Sequence, residues 1–211
     1  MVTATASPLP TRPFWLTPDD PRYPTRLRAY LGADALSALQ VWGEVQVLER
    51  APLTALLCSQ RCPGELILQA YDLARCWRDA DRAVVGSFHT PVERDALHFL
   101  LKGTQPVVIC LARTLESARL PKAWHIPLEE GRLLVVSACA DGQKRTTAAT
   151  STASTLLAGA LAERIVVIHA SAGGRLEAAC REFTDWGKPV FVLHHPANAH
   201  LVEMGATWAE G

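Results

Sequence analysis

The sequence has no excess of charge of either sign. Lysine and arginine together number 21, aspartate and glutamate also number 21, and the isoelectric point is close to 7. A protein that attracts nucleic acid or an acidic membrane through its overall charge needs a basic excess. Any nucleic-acid site on this chain must therefore be local.

The chain also lacks long apolar runs and paired cysteine motifs. No segment has the roughly 18 uninterrupted apolar residues that cross a bilayer, and no apolar core follows a basic start at the N-terminus. We therefore expect a cytoplasmic protein without a membrane partner or signal peptide. Six cysteines occur without a C-x-x-C pair; Cys58 and Cys62 lie four apart, with no second pair nearby. This spacing argues against zinc, and we expect reduced thiols, no metal and no cofactor.

Short apolar runs alternate with segments of helical spacing or composition. The runs at 53–58, 82–86, 105–112, 133–137, 165–169 and 188–193 are apolar on both faces, which is typical of buried parallel strands. Helices are expected at 63–81, 92–102, 148–161, 176–186 and 201–206, and an irregular connection at 113–127. This alternation predicts an α/β fold, a parallel sheet of about six strands with helices on both faces.

The first 50 residues have a different character. Residues 1–22 are rich in proline, threonine and aspartate and indicate an extended arm, which residues 13–16 could pin to the body. Residues 23–43 predict a short helix, a turn and a strand. We therefore divide the chain into an arm with a small helical lead-in, 1–50, and a sheet domain, 51–211.

Ligands of parallel α/β sheets bind at the carboxyl ends of the strands. The candidate residues that follow the predicted strands are Ser59, Gln60, Arg61, Gly86, Ser87, Phe88, His89, Glu93, Arg113, Ser137, Gly173, Gly174, Arg175 and Glu177. This set combines small residues, hydroxyls, arginines and carboxylates. It favours a phosphate or a nucleotide over an acyl or peptide substrate.

The stretch from Arg164 to Glu177 is the strongest local signal. A buried strand ends at small residues, and a helix begins after Gly173 and Gly174. Adjacent glycines allow a ligand close to the backbone, and the free N–H groups of a helix start favour an anion. The alternative is that the two glycines only form a tight connection.

Several other residues have two interpretations. Lys144 and Arg145 are candidate phosphate-binding cations or ordinary charges of a solvated loop. Phe88 and Trp124 either stack on bases or pack in the protein. His89 and Glu93 either act as an acid and base pair or stabilise the loop and the helix start. His194, His195 and His200 are interpreted as surface residues and not as metal ligands.

The order of these segments resembles the DNA-processing protein A (DprA/Smf) family. The resemblance rests on Tyr23-Pro24 with Leu27, on Cys58 to Arg61, on Gly86 to Glu93, and on Ala170 to Glu177. It implies a Rossmann-like domain that binds single-stranded DNA at a strand-end pocket, forms a homodimer and loads a recombinase-type partner onto DNA. It also implies that Ser59, Arg61, Ser87, Gly173, Gly174 and Arg175 line a phosphate-binding pocket. Independently of the resemblance, Arg113, Lys144 and Arg145 are candidate cations for DNA on the same rim.

The chain departs from that family at one basic motif. Where the family usually has Arg-Asn-Arg, this sequence has Ser154, Thr155 and Leu156, which removes two cations. Two alternatives therefore stay open beside a non-enzymatic DNA-binding protein. One is a nucleotide-processing enzyme of the related LOG type that uses Glu93 or Glu177. The other is a regulatory or structural member that has lost its ligand.

Overall fold

The computed structural model describes residues 12–32, 38–116 and 118–209. Its strands are β1 (Phe14–Leu16), β2 (Leu39–Gly43), β3 (Thr54–Cys58), β4 (Val84–Gly86), β5 (Val107–Cys110), β6 (Leu133–Ser137), β7 (Arg164–His169), β8 (Val190–Val192) and β9 (Thr207–Trp208). Its α-helices are α1 (Arg26–Leu31), α2 (Val47–Arg50), α3 (Gly64–Asp79), α4 (Pro91–Leu100), α5 (His125–Glu129), α6 (Ala148–Leu161), α7 (Arg175–Asp185) and α8 (Ala199–Glu203).

All these strands belong to one sheet, in the order β1-β2-β6-β5-β4-β3-β7-β8-β9. Seven neighbouring strands, β6-β5-β4-β3-β7-β8-β9, run parallel to one another. Six of these, β3 to β8, correspond to the six strands predicted from the sequence. The predicted parallel α/β fold is thus confirmed. The chain runs outward from β3 to β6 and then returns to the other side of β3 with β7, so the strand order reverses between β3 and β7.

The lead-in contributes two antiparallel strands to the same sheet. β2 pairs with β6 through Val41 and Val136, and β1 pairs with β2 through Trp15 and Gln40. The segment around residues 13–16 is therefore held by strand pairing. Residues 1–11 of the predicted arm and 33–37 of the predicted turn lie outside the described residues.

Helices cover both faces of the sheet because each central strand is apolar on both sides. In β3, Leu57 packs into the layer that contains α1, α2, α6 and α7, whereas Leu56 packs into the layer with α3 and α4. Every residue of β3 is buried. The two layers enclose the sheet and leave its carboxyl edge open to a ligand.

The helix α6 forms as predicted, although threonine is a poor helix former. Thr147 and Thr150 form a reciprocal capping box that satisfies the first backbone N–H groups. Small residues then permit close packing, and the ring of Phe183 from α7 lies directly over Gly159. Tertiary packing thus compensates for weak propensity.

The C-terminal segment and one connection differ from the sequence-based expectation. The last helix, α8, begins at Ala199 and not at residue 201, because a 3-10 helix that starts at Pro196 leads directly into it. The N–H of Ala197 donates to Nδ1 of His195 at 3.0 Å, which caps this 3-10 helix. The irregular connection 113–127 contains a 3-10 helix at Lys122–Trp124 and the start of α5. These short elements lack the length over which hydrophobic periodicity is informative.

Candidate functional site

A cleft of about 490 Å³ opens at the carboxyl edge of the sheet, where β3 and β7 meet. This is the point at which the strand order reverses, and such points form crevices because the flanking loops diverge to opposite faces. The residues that line it come from the end of β3 and the β3–α3 loop, the β4–α4 loop and the start of α4, α6, and the β7–α7 turn with the first turns of α7: Cys58, Ser59, Gln60, Arg61, His89, Thr90, Glu93, Ser151, Thr152, Thr155, Ser171, Gly174, Arg175, Leu176 and Ala179.

The β3–α3 loop is tied to the end of β7. The N–H of Ser59 donates to the carbonyl of His169 at 2.8 Å, and the Oγ of Ser59 accepts from the N–H of Ser171 at 3.0 Å. Gln60 and Arg61 follow and are exposed. Arg61 has no acidic partner within the described residues, so its guanidinium is available to an anion.

The glycine turn before α7 has the left-handed conformation that its sequence predicts. Gly173 has φ = +69°, a conformation that glycine adopts without strain. The N–H of Gly174 donates to the carbonyl of Ser171 at 2.9 Å, and a Cβ at this position would lie 2.7 Å from that carbonyl oxygen. Both glycines are therefore required by the turn itself.

The first backbone N–H groups of α7 point out of the helix toward the cleft. Those of Arg175, Leu176 and Glu177 have no hydrogen-bond acceptor among the residues that the structure describes. An unsatisfied helix start carries a partial positive charge and binds anions. Arg175 is exposed beside it and lacks an ion-pair partner in the described chain.

Glu177 lies in the first turn of α7 but is occupied by the protein's own donors. Its carboxylate accepts from the N–H of Gly173 at 2.8 Å and from Arg181 at 2.5 Å, and Nε2 of His200 lies 3.6 Å away. The side chain is only 6% exposed. Glu177 thus holds the glycine turn in shape, while the backbone N–H groups of Arg175, Leu176 and Glu177 itself stay open.

Glu93 has the corresponding role between β3 and β4. Its carboxylate is 1% exposed and accepts from the N–H of Cys58 at 2.8 Å, of His89 at 3.0 Å and of Thr90 at 3.3 Å. Burial raises the pKa of Glu93, whereas His89 and these backbone donors act in the opposite direction. The arrangement fixes two loops of the cleft and completes the capping box with Thr90 that opens α4.

The β4–α4 loop places Phe88 in the core. Phe88 has φ = +48°, is 6% exposed and packs its ring against Gly86, where a Cβ would lie 2.9 Å from the ring. Phe88 is therefore packed in the core and is not exposed where its ring could stack on a base. The neighbouring His89 lines the cleft, and its buried Nδ1 has no hydrogen-bond partner among the described residues.

Other candidates lie outside the cleft. Ser87 donates to Glu93 at 3.4 Å, and Ser137 donates to the carbonyl of Arg113 at 2.7 Å, so both hydroxyls are used internally. Lys144 and Arg145 are exposed in the loop between β6 and α6. These cations and Arg113 follow carboxyl ends of parallel strands, on the same edge as the cleft but not in its wall.

One wall of the cleft was missed by sequence reasoning. Ser151, Thr152 and Thr155 on α6 line it, although they precede a strand and do not follow one. Their spacing places them on adjacent turns of one helix face, and this polar stripe was the sequence feature that could have identified them as cleft residues. Thr155 belongs to the segment 154–156, in which the family that the sequence resembles usually has Arg-Asn-Arg.

The electrostatics of this edge favour an anion despite the neutral chain. Glu93 and Glu177 are buried and accept internal hydrogen bonds, Asp141 accepts from Gln40 at 2.9 Å, and the exposed Glu65 lies 3.4 Å from His195. The guanidinium groups of Arg61 and Arg175 have no such partner. Arg61 and Arg175 are therefore two cations at the cleft that are available to an anion.

Within 12–32, 38–116 and 118–209, no group of three or more histidine, cysteine or carboxylate side chains is arranged to hold a metal ion. The six cysteines are free thiols. In the same part of the chain, no helix combines the length and the apolar character that crossing a bilayer requires.

Neither a protein-family model nor a curated protein sequence matches the chain. Solved structures do match it. The DNA-processing protein A (DprA) of Streptococcus pneumoniae superposes with a TM-score of 0.77 at 17% identity, over 95% of this chain and 71% of the other. The DNA-processing protein A of Helicobacter pylori, described in its single-stranded DNA binding mode, gives 0.68 at 17% identity over 85% of both chains.

A molybdenum cofactor binding protein from Rippkaea orientalis is similar over a smaller share, with a TM-score of 0.53 at 12% identity over 76% of this chain. The match to the two DNA-processing proteins is longer and superposes better. The chain therefore has the Rossmann-like α/β fold of the DNA-processing protein A structures.

Proposed function

We propose that the cleft between β3 and β7 binds the phosphates of single-stranded DNA, or of a nucleotide. The observation that supports it most directly is the open helix start of α7 in the same cleft as two guanidinium groups without an acidic partner, Arg61 and Arg175. Three backbone N–H groups and two guanidinium groups can together bind the oxygens of a phosphate, because guanidinium groups and helix N-termini both donate directed hydrogen bonds to such oxygens.

Single-stranded DNA is favoured over a free nucleotide by two considerations. The protein of similar fold from Helicobacter pylori binds single-stranded DNA, as its description states. Three further cations follow β5 and β6 at the same edge of the sheet, where they can contact more phosphates of a continuous DNA strand: Arg113, Lys144 and Arg145. Because Phe88 is buried in the core, backbone phosphates and not stacking on that ring would supply the affinity.

A binding function is favoured over a LOG-type enzymatic one by the state of the two carboxylates. Glu93 and Glu177 are both buried and saturated with donors that hold loops in place. A general acid or base needs access to the proton that it transfers. Release of free base from a nucleotide monophosphate, measured by chromatography, would reverse this preference.

The physiological role that we propose is DNA processing during recombination in the cytoplasm, as a homodimer that cooperates with a recombinase-type protein. These points rest on the resemblance in fold and in motif order. Sedimentation equilibrium at several concentrations tests the dimer. A monomer at all concentrations would remove that part of the proposal without affecting the cleft.

The central experiment is fluorescence anisotropy with labelled oligo-dT at two salt concentrations. Wild-type protein is expected to bind with a steep salt dependence, and Arg61→Ala together with Arg175→Ala is expected to weaken binding by roughly 100-fold or more, since a hydrogen bond to a charged group contributes about 1.5–3 kcal/mol.

Arg164→Ala is the matched control. Arg164 is exposed and without an acidic partner in the described residues, but it begins β7 and so lies at the opposite edge of the sheet. Equal losses in the control and the double variant would place the DNA elsewhere. No binding by wild-type protein would refute the proposed function.

A further inference from the structure

His89 lies in a short loop that is fixed on both sides. Its backbone N–H donates to the carboxylate of Glu93 at 3.0 Å, and the next residue, Thr90, is the buried N-cap of α4. The preceding residue, Phe88, is held in the core with a left-handed backbone. The side chain of His89 therefore reaches the cleft from a supported position, which is the support that a ligand-binding group needs.

The two ring nitrogens of His89 have different surroundings. Nδ1 is buried and has no hydrogen-bond partner among the residues that the structure describes. Nε2 also has no partner there, but neighbouring atoms do not enclose it, and the residue lines the cleft. Nε2 is therefore the nitrogen of His89 that a bound ligand can reach.

This difference selects one tautomer of the neutral ring of His89. A neutral imidazole carries a proton on one nitrogen and a lone pair on the other, and the environment decides which nitrogen holds the proton. Buried N–H groups without an acceptor are rarer in proteins than buried acceptors without a donor. The proton therefore belongs on Nε2, where it is available to the cleft as a hydrogen-bond donor.

The contacts of Glu93 argue against an acid and base pair with His89. Within the described residues, the ring of His89 makes neither a hydrogen bond nor an ion pair with Glu93, which accepts the backbone N–H of His89 instead. Proton transfer between two side chains requires that they lie within hydrogen-bond reach of each other. The geometry thus favours a binding role for the ring.

The other histidines do not line the cleft in the part of the chain that the structure describes. His98 is the closest comparison because it belongs to α4, the helix that follows His89. It lies in the last turn of that helix, at the end opposite to the cleft, and is exposed, with an edge contact to the ring of Phe99. His98 is therefore a matched control for substitutions at His89.

We propose that His89 binds the anion in the cleft as a neutral donor through Nε2–H, together with Arg61, Arg175 and the open N–H groups of α7. A hydrogen bond to a charged acceptor is stronger than one between neutral groups, and the fixed loop gives it a direction. His89 thus adds positional selection to a site whose guanidinium groups attract anions in general. That the anion is a DNA phosphate rests on the function proposed above, whereas an anion contact at Nε2 does not.

The contribution of Nε2–H to binding is tested by the oligo-dT affinity of three variants, measured by fluorescence anisotropy. In His89→Gln, the side-chain amide can place an N–H near the position of Nε2, so most of the affinity should remain. His89→Asn can place its amide only near the position of Nδ1, and His89→Ala has no donor. Both are expected to lose about tenfold in affinity, the effect of one hydrogen bond to a charged group.

His98→Asn should bind oligo-dT like wild type, and urea denaturation of each variant separates a loss of affinity from a loss of folding. Wild-type affinity in His89→Asn and His89→Ala would overturn the proposal. An equal loss in His89→Gln would also overturn it, because the shape of the ring and not its donor would then matter.

The tautomer and the anion contact are tested by heteronuclear NMR of isotope-labelled histidine rings, at a pH at which the ring of His89 is neutral. The signals of His89 are those that disappear in His89→Gln. They are expected to show the proton on Nε2, and inorganic phosphate should shift them while it leaves those of His98 unchanged. A proton on Nδ1, or no response of His89 to phosphate, would overturn the proposal. If wild-type protein does not bind oligo-dT, the proposed function fails, and the phosphate titration alone decides whether His89 contacts an anion.

Discussion

The carboxylate of Glu93 accepts a hydrogen bond of 2.8 Å from the backbone N–H of Cys58, which joins the first turn of α4 to the end of β3. The same carboxylate holds the N–H groups of His89 and Thr90. One buried side chain thus sets the relative position of two cleft loops. A binding site requires such support, because its groups must be held in place before the ligand arrives.

Glu93→Gln is expected to lower the free energy of unfolding by about 2 kcal/mol or more, because the amide nitrogen cannot accept hydrogen bonds and would face backbone donors in a buried site. Urea denaturation measures this change. Glu182→Gln, at an exposed position of α7, should leave the value unaltered. A stability equal to wild type for Glu93→Gln would show that the carboxylate does not organise the loops.

Gly159→Ala is expected to destabilise the protein by about 1–3 kcal/mol, since the added methyl would overlap the ring of Phe183 where α6 and α7 pack. Helix propensity alone predicts the opposite sign. Gly64→Ala at the start of α3, where no atom lies within 4 Å of the added methyl, is the comparison and should be neutral or stabilising. Phe183→Leu in the Gly159→Ala background should recover part of the loss.

The buried Lys188 is expected to give a pH dependence. Its ammonium donates to the carbonyls of Ala160, at 3.1 Å, and of Ala162, and burial lowers its pKa from 10.5 to about 8. The unfolded chain therefore binds more protons than the folded one between those two pKa values, so this group's contribution to the free energy of unfolding rises with pH in that window.

Lys188→Met removes the titrating group. The difference in unfolding free energy, wild type minus Lys188→Met, should increase from pH 8 toward pH 10, with a slope of up to about 1.4 kcal/mol per pH unit. Taking this difference cancels the opposing titration of the buried thiols. A difference that is constant or falls with pH would contradict the lowered pKa of Lys188.

Thr152→Arg is expected to strengthen oligo-dT binding. Thr152 lines the cleft on α6, and an arginine there adds a cation to a wall that otherwise presents the hydroxyl groups of Ser151 and Thr155. The dependence of log affinity on log salt should steepen by about 0.7, the value for one additional phosphate contact on a single strand.

Thr184→Arg is the matched control for this gain. Each threonine hydroxyl bonds to the carbonyl four residues earlier, Thr152 at 3.1 Å and Thr184 at 3.0 Å, but Thr184 is exposed in the last turn of α7, away from the cleft. An equal gain in both variants would indicate general charge attraction and not a site.

The candidate site was accessible to sequence reasoning only where residues follow a strand. Arg61, Gly174 and Arg175 were found in this way because carboxyl ends of parallel strands share an edge. Thr152 and Thr155 were not, since they lie within a helix whose rotation toward the cleft depends on how α6 packs against α7. Phe88, in turn, follows a strand but is directed into the core by its left-handed backbone.

The apolar runs by themselves determined the parallel sheet and its two covering layers, because a strand that is apolar on both faces is stable only between helices. The glycine pair determined the turn before α7, since the left-handed conformation at Gly173 and the close approach at Gly174 exclude larger side chains. Only the tertiary structure decided which charges remain free: Glu93 is buried and bonded to the distant Cys58, Glu177 is buried and bonded to Gly173 and Arg181, and Arg61 and Arg175 are left without acidic partners. Composition cannot reveal this, because a neutral total says nothing about which charges are paired.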